Sequence, residues 1–148
     1  MFIPIKERQF TIWNLRRSGL IGSEIARKLK ITRQAVSKAL QGMDAHISKT
    51  LLEMAKSNQI EVQSVNFEKG ILFGKSVPFN TGAIIFVSAK YGVQVWYEHD
   101  GNCNNCNRYK DCMEILWDLA DEMNLKLQTT DDPTKLADEL FKKLRRLY

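Results

Sequence analysis

The strongest constraint on the fold is a stripe of apolar side chains at Val36, Leu40, Met43, Ile47, Leu51 and Met54. The spacings of four, three, four, four and three residues repeat only on a helix, so this stretch must be helical and bury one side. Gly42 interrupts it, and glycine inside a helix costs about 1 kcal/mol relative to alanine, so one long helix or two shorter ones both remain open. Apolar residues at this spacing are usually intramolecular core, with a contact between two copies as the alternative.

Upstream, Phe10, Ile12, Trp13 and Leu15 fall among charges between Lys6 and Arg17, and Ser18-Gly19 stops that run, predicting a first helix. Ser23 is a candidate cap for a short second helix through Leu29, and Thr32 for the helix that carries the stripe. From Ile60 the texture becomes β-branched and aromatic. The segments 60–67, 71–73, 83–89 and 93–98 read as strands, with Lys90-Tyr91-Gly92 turning the last two into a hairpin. Asp111-Cys112-Met113-Glu114 reads as a capping box opening a helix to about Met123, and Leu125 to Gln128 as a short strand. Pro133, at the first position of a final helix, precedes a stripe of Leu136, Leu140, Leu144 and Leu147. The expected architecture is α+β: an all-helical unit over 1–57, then a small α+β unit with an antiparallel sheet over 58–148.

Charge is distributed unevenly along the chain. Residues 1–58 hold 11 Lys and Arg against 4 Asp and Glu, a net +7, whereas residues 59–130 hold 6 against 9, a net −3. Nucleic-acid binding needs local positive potential, which places it in the N-terminal third. Between Leu20 and Met43, two helices joined by a short turn need small and branched apolar residues at the corner, and Ala26, Leu29, Ile31, Val36 and Leu40 have that pattern. The second of these helices then offers Thr32, Arg33, Gln34, Ser37, Lys38 and Gln41, side-chain types that read base edges or grip phosphates. Arg16, Arg17, Arg27, Lys28 and Lys30 are further candidates for phosphate neutralisation.

Ser23-Glu24-Ile25-Ala26-Arg27-Lys28-Leu29 followed by Ile31-Thr32-Arg33-Gln34-Ala35-Val36-Ser37-Lys38 resembles the helix-turn-helix of many bacterial and archaeal transcriptional regulators. The resemblance covers about a third of the chain and implies that Thr32, Arg33, Gln34, Ser37 and Lys38 enter the major groove of double-stranded DNA. Lys30 departs from it, standing where many members have a glycine in the turn. The resemblance also implies a homodimer on two half-sites.

All three cysteines lie in a C-x2-C-x5-C arrangement, Cys103, Cys106 and Cys112. Clustered thiols in a chain without a signal peptide, hence expected in the cytoplasm and not at a membrane, point to metal or redox chemistry more than to a disulfide framework. Cys112, expected at a helix N-terminus, gains there an environment that favours the thiolate. Three thiolates need a fourth ligand, and His99 is the nearest candidate. The spacing resembles three-cysteine iron–sulfur sites, which implies a four-iron cluster; zinc on one His and three Cys uses the same residues. Two other readings stand beside these: His99 hydrogen-bonding backbone at a strand end, and a Cys103–Cys106 disulfide without metal.

No Gly-rich nucleotide loop or catalytic triad is present, so the expectation is a DNA-binding regulator, not an enzyme, responsive to metal or redox state. The rival is a cluster-bearing redox protein that uses its helix-turn-helix for docking. Binding of a small molecule through Phe86, Trp96 or Tyr97 is a third possibility. His46 receives no role.

Overall fold

The computed structural model describes residues 7–99, 106–128, 130 and 132–147. Three helices, α1 (Glu7–Arg17), α2 (Gly22–Leu29) and α3 (Arg33–Ser57), precede four strands, β1 (Ile60–Asn66), β2 (Ile71–Ser76), β3 (Thr81–Ser88) and β4 (Gly92–Tyr97). Helices α4 (Tyr109–Glu122) and α5 (Pro133–Leu147) follow. The strands form one antiparallel sheet in chain order. The fold is therefore α+β, as the sequence predicts.

Helix α3 runs unbroken through Gly42. Its start is the expected one: the Thr32 hydroxyl accepts the Ala35 N–H at 3.0 Å, satisfying one of the free amides of the first turn. Ser23, by contrast, is not the cap of α2. It lies inside the first turn, Ile21 precedes the helix, and the Glu24 carboxylate reaches back to accept the Ile21 N–H at 3.2 Å. At the other end, Lys30 takes the left-handed conformation (φ 55°) and Ile31 N–H closes onto Ala26 O at 3.0 Å. The turn thus has the backbone that glycine usually supplies, in a lysine.

The sheet is covered on both faces. Side chains alternate along a strand, so Ile71, Phe73, Ile84 and Phe86 meet α4 and α5. Leu72, Ala83, Ile85 and Val87 point the other way, onto Trp13 of α1 and Met43, Ile47, Leu51 and Ala55 of α3. This two-sided burial explains why residues 83–87 read as a continuous apolar run. It also makes most of the Met43 to Met54 stripe intramolecular core, so that α1 and α3 share a core with the sheet across the 57/58 junction. A third cluster, Ile12, Ile25, Ala26, Val36 and Ala39 with Leu15, Leu20, Leu29, Ile31 and Leu40 against it, holds the three N-terminal helices together.

Three expectations fail in the C-terminal part. Asp111 does not cap α4, which starts earlier at Tyr109 after Arg108; the acid lies within the first turn, where it still suits the helix dipole. Leu125 to Gln128 form no strand. The segment's amides are spent on neighbouring helices, Leu125 N–H on Ala120 O (2.8 Å) and Gln128 N–H on the Glu139 carboxylate (3.0 Å), while Leu125 and Leu127 pack on the core. In α5, Leu136, Leu140 and Leu144 are buried as expected but Leu147 is exposed. No helix among the described residues is long and apolar enough to cross a membrane.

Candidate nucleic-acid interface

The corner between α2 and α3 is filled as the sequence pattern requires: Ala26, Leu29, Ile31, Val36 and Leu40 all belong to the helical cluster. Because Val36, Ala39 and Met43 turn inward, helical geometry turns Arg33, Gln34, Ser37, Lys38 and Gln41 outward, and all five are exposed, with Thr32 at the head of the same face. Arg27 and Lys28 are exposed at the end of α2, whose last turn they suit electrostatically. Arg27 and Arg33 border one shallow recess with Ser23, Ala26 and Ile31, so the turn brings cations from both helices together. Among the described residues, Arg27, Lys28, Lys30, Arg33 and Lys38 make no ion pair.

Arg16 and Arg17 are different, and here the sequence expectation fails. Arg16 is paired through both terminal nitrogens with the Asp44 carboxylate of α3, one contact measuring 3.0 Å. Arg17 is buried, with its Nη1 donating to Glu122 Oε2 at 2.8 Å and its Nε to Lys69 O at 2.8 Å. Neither is presented to a phosphate; both brace α1 against the rest of the molecule. The structure adds two residues that sequence reasoning missed. Arg8 and Gln9 of α1 flank a groove also lined by Ile31, Thr32 and Ala35, placing another cation and another amide beside the first turn of α3. The only sequence signal for them was their membership of the basic N-terminal third.

The cysteine region is less assembled. Cys103 lies outside the described residues. Cys106 is exposed and Cys112 half-buried. Cys112 is on the first turn of α4, but its amide already donates to Arg108 O at 2.9 Å, so it lies just inside the helix, past the first free N–H groups. His99 Nδ1 is 2.8 Å from Tyr97 O, the strand-end hydrogen bond anticipated as one reading, and its ring lies 5.6 Å from that of Trp96. That bond leaves Nε2 as the ring atom for any ligand. His99, Cys106 and Cys112 line a single cavity between β4 and α4, together with Gln94, Trp96 and Arg108. Among the described residues, however, no three His, Cys, Asp or Glu side chains approach closely enough to share a metal ion.

Of the aromatic candidates, Phe86 is fully buried and 6.0 Å from Phe141, while Trp96 packs on the same Phe141 at 6.2 Å. Tyr97 packs with the opposite face, edge-on to Phe79 at 5.1 Å. His46 is half-buried on α3. A comparison with protein-family models, with curated proteins and with solved structures finds no match to this chain.

Proposed function

We propose that the chain is a cytoplasmic DNA-binding transcriptional regulator of the helix-turn-helix type, acting as a homodimer on two half-sites of double-stranded DNA. The observation that carries this reading is the division of α3: its buried side is locked into the helical cluster and the sheet core, while Arg33, Gln34, Ser37, Lys38 and Gln41 stand exposed on the other side of its first half. Arginine pairs with guanine and glutamine with adenine in the major groove, and the unpaired cations Arg27, Lys28 and Lys30 beside them suit phosphates.

The test is selection from a random duplex pool, followed by titration of the enriched sequence and a scrambled one by fluorescence anisotropy. Arg33→Ala with Gln34→Ala should cut discrimination between the two by roughly 30-fold or more, since each of the two base contacts contributes about 1–3 kcal/mol and about 1.4 kcal/mol is tenfold. Lys28→Ala should weaken both sequences alike and lower the salt dependence by about one released ion. No enrichment, or full discrimination in the double variant, rejects the reading and favours a docking role for the helices.

A second reading concerns the cysteines: the C-terminal half binds a soft metal centre, an iron–sulfur cluster or alternatively zinc, through Cys103, Cys106 and Cys112 with His99, and DNA binding responds to it. The supporting observation is that His99, Cys106 and Cys112 line one cavity. Protein purified without oxygen distinguishes the cases by its visible spectrum and its iron, sulfide and zinc content. Absence of all three under these conditions rejects the reading.

A further inference from the structure

The two edges of the sheet are unequal. Strand β4 is half-buried along its whole length, whereas β1 is exposed at every position from Glu61 to Val65. Leu52, Val62, Val65 and Phe67, between 38% and 44% exposed, lie on or beside this strand. Natural sheet edges are usually blunted by lysine, proline or an inward-pointing charge, because an open strand is a template for pairing. β1 carries one charge, Glu61, and neither proline nor lysine. Gln63 is an extra residue in its pairing with β2, so that Val62, opposite Gly74, and Val65, opposite Leu72, fall on the same face, that of α3.

The main chain at both valines faces the open edge. Gln59 O accepts the Val77 N–H at 3.0 Å, and alternation from Gln59 turns the N–H and C=O of Val62 away from β2. Gly70 O accepts the Val87 N–H at 2.9 Å, so Leu72, two residues on, also faces β3, and Val65 opposite it faces out. Leu52 follows the buried Leu51 on α3, and the right-handed turn of the helix puts it on the flank above β1, opposite to Met54, which packs into the α3-side core. The edge thus combines a row of free backbone groups with an apolar ridge.

We propose that β1 is the contact between two copies of this chain, pairing antiparallel across a two-fold axis between Gln63 and Ser64 and joining the two sheets into one; this rests on the homodimer of the reading above. Val62 then faces Val65 of the partner subunit and Val65 faces the partner's Val62, each with outward main-chain groups to share. Glu61 falls opposite Asn66 of the partner subunit, so no charge meets its like. A strand whose outward valines exchange places on reversal is complementary to itself, as an isologous contact requires. The pairing also keeps α1, α2 and α3 of both copies on one face of the joined sheet, where a single duplex can meet both. At the exposures given, the four apolar side chains offer on the order of 300 Å² per copy. Interfaces are a little over half apolar, so the pair buries on the order of 1,000 Å² in total, enough for a specific, concentration-dependent dimer.

The test is sedimentation of the full chain over roughly 1–100 µM, alone and with the selected duplex. Wild type should pass from monomer to dimer with rising concentration. Val62→Glu and Val65→Lys each place an unpaired charge at two symmetric positions and should raise the dimer dissociation constant at least about 100-fold. An equimolar mixture of the two variants should dimerise again, because one glutamate then faces one lysine and the other valine pair is intact. That recovery depends on the register and also shows that both variants are folded. Variants that dimerise like wild type place the contact elsewhere and overturn the β1 edge while leaving the homodimer standing. Monomeric variants that do not recover on mixing overturn the pairing of Val62 with Val65. A wild type that stays monomeric at every concentration, and binds the selected duplex as one chain, overturns the edge contact and the homodimer but not DNA binding; failure to select any duplex, with dimerisation and its recovery intact, rejects the DNA reading alone.

Discussion

Replacing Gly70 by alanine tests how tightly the sheet is built at the β1–β2 turn. Gly70 has φ +70°, and a Cβ there would lie 2.7 and 2.9 Å from Cη2 and Cζ2 of Trp13 and 3.2 Å from Cβ of Val87. Trp13 is completely buried and Val87 nearly so, and the Arg17 guanidinium lies against the Trp13 ring, so the indole has little room to withdraw. Gly92 is the natural control, with φ +78° and nothing within 4 Å of its added Cβ. Backbone strain of about 1–2 kcal/mol is common to both substitutions. Overpacking adds about 1–3 kcal/mol at Gly70 alone. At about 2–4 °C per kcal/mol for a chain of this size, Gly70→Ala should lower the Tm by roughly 10 °C and Gly92→Ala by roughly 4 °C. Circular dichroism during thermal and urea unfolding measures the difference, with equal urea m-values required for the comparison. Equal losses in the two variants would refute the packing argument, because strain would then account for everything.

Thr32→Ala removes the side-chain cap of α3 and should cost about 1 kcal/mol in urea unfolding, with Thr32→Ser restoring most of it. Lys30→Gly relieves the left-handed strain at φ 55° and should stabilise by about 1 kcal/mol, while weakening binding to selected and scrambled DNA alike through the lost charge. Burial raises the Glu122 carboxyl above its ordinary 4.5, against the opposing pull of Arg17 and the Ala89 N–H. The folded chain therefore holds that proton more readily than the unfolded one. The stability this group contributes is full below pH 4.5 and falls as pH rises through the elevated folded value. The stability of wild type minus that of Glu122→Gln should accordingly decrease from pH 4.5 upward; a rising difference would contradict the burial argument.

The helical head was legible because its signals are local. Thr32 caps a helix three residues ahead, the corner residues from Ala26 to Leu40 lie within fifteen positions, and their periodicity is that of the helix itself. The hairpin at Gly92 and the helix start at Pro133 were legible for the same reason. Local chemistry misled where several donors or acceptors competed for one helix end. Glu24 served α2 in place of Ser23, and α4 began one turn ahead of the acid that was expected to cap it. Leu125 and Leu127 alternate as a strand would, yet they pack on the core shared by the sheet, α4 and α5 and pair with no strand among the described residues.

By itself the sequence determined the α+β class, the three N-terminal helices with their basic face, and the positions of the cysteines, because composition, periodicity and caps act over one or two turns of chain. Tertiary structure alone decided which cations remain available. Arg16 and Arg17 look like their neighbours in a list of residues, but their partners lie 28 and 105 positions away, and nothing local announces them. It also decided that both faces of the sheet are covered and that α1, α4 and two turns converge on the buried Arg17 guanidinium and its Glu122 carboxylate partner. Such convergence depends on how whole layers pack, and a charged side chain accepts burial only where that packing brings it an opposite charge and hydrogen-bond partners.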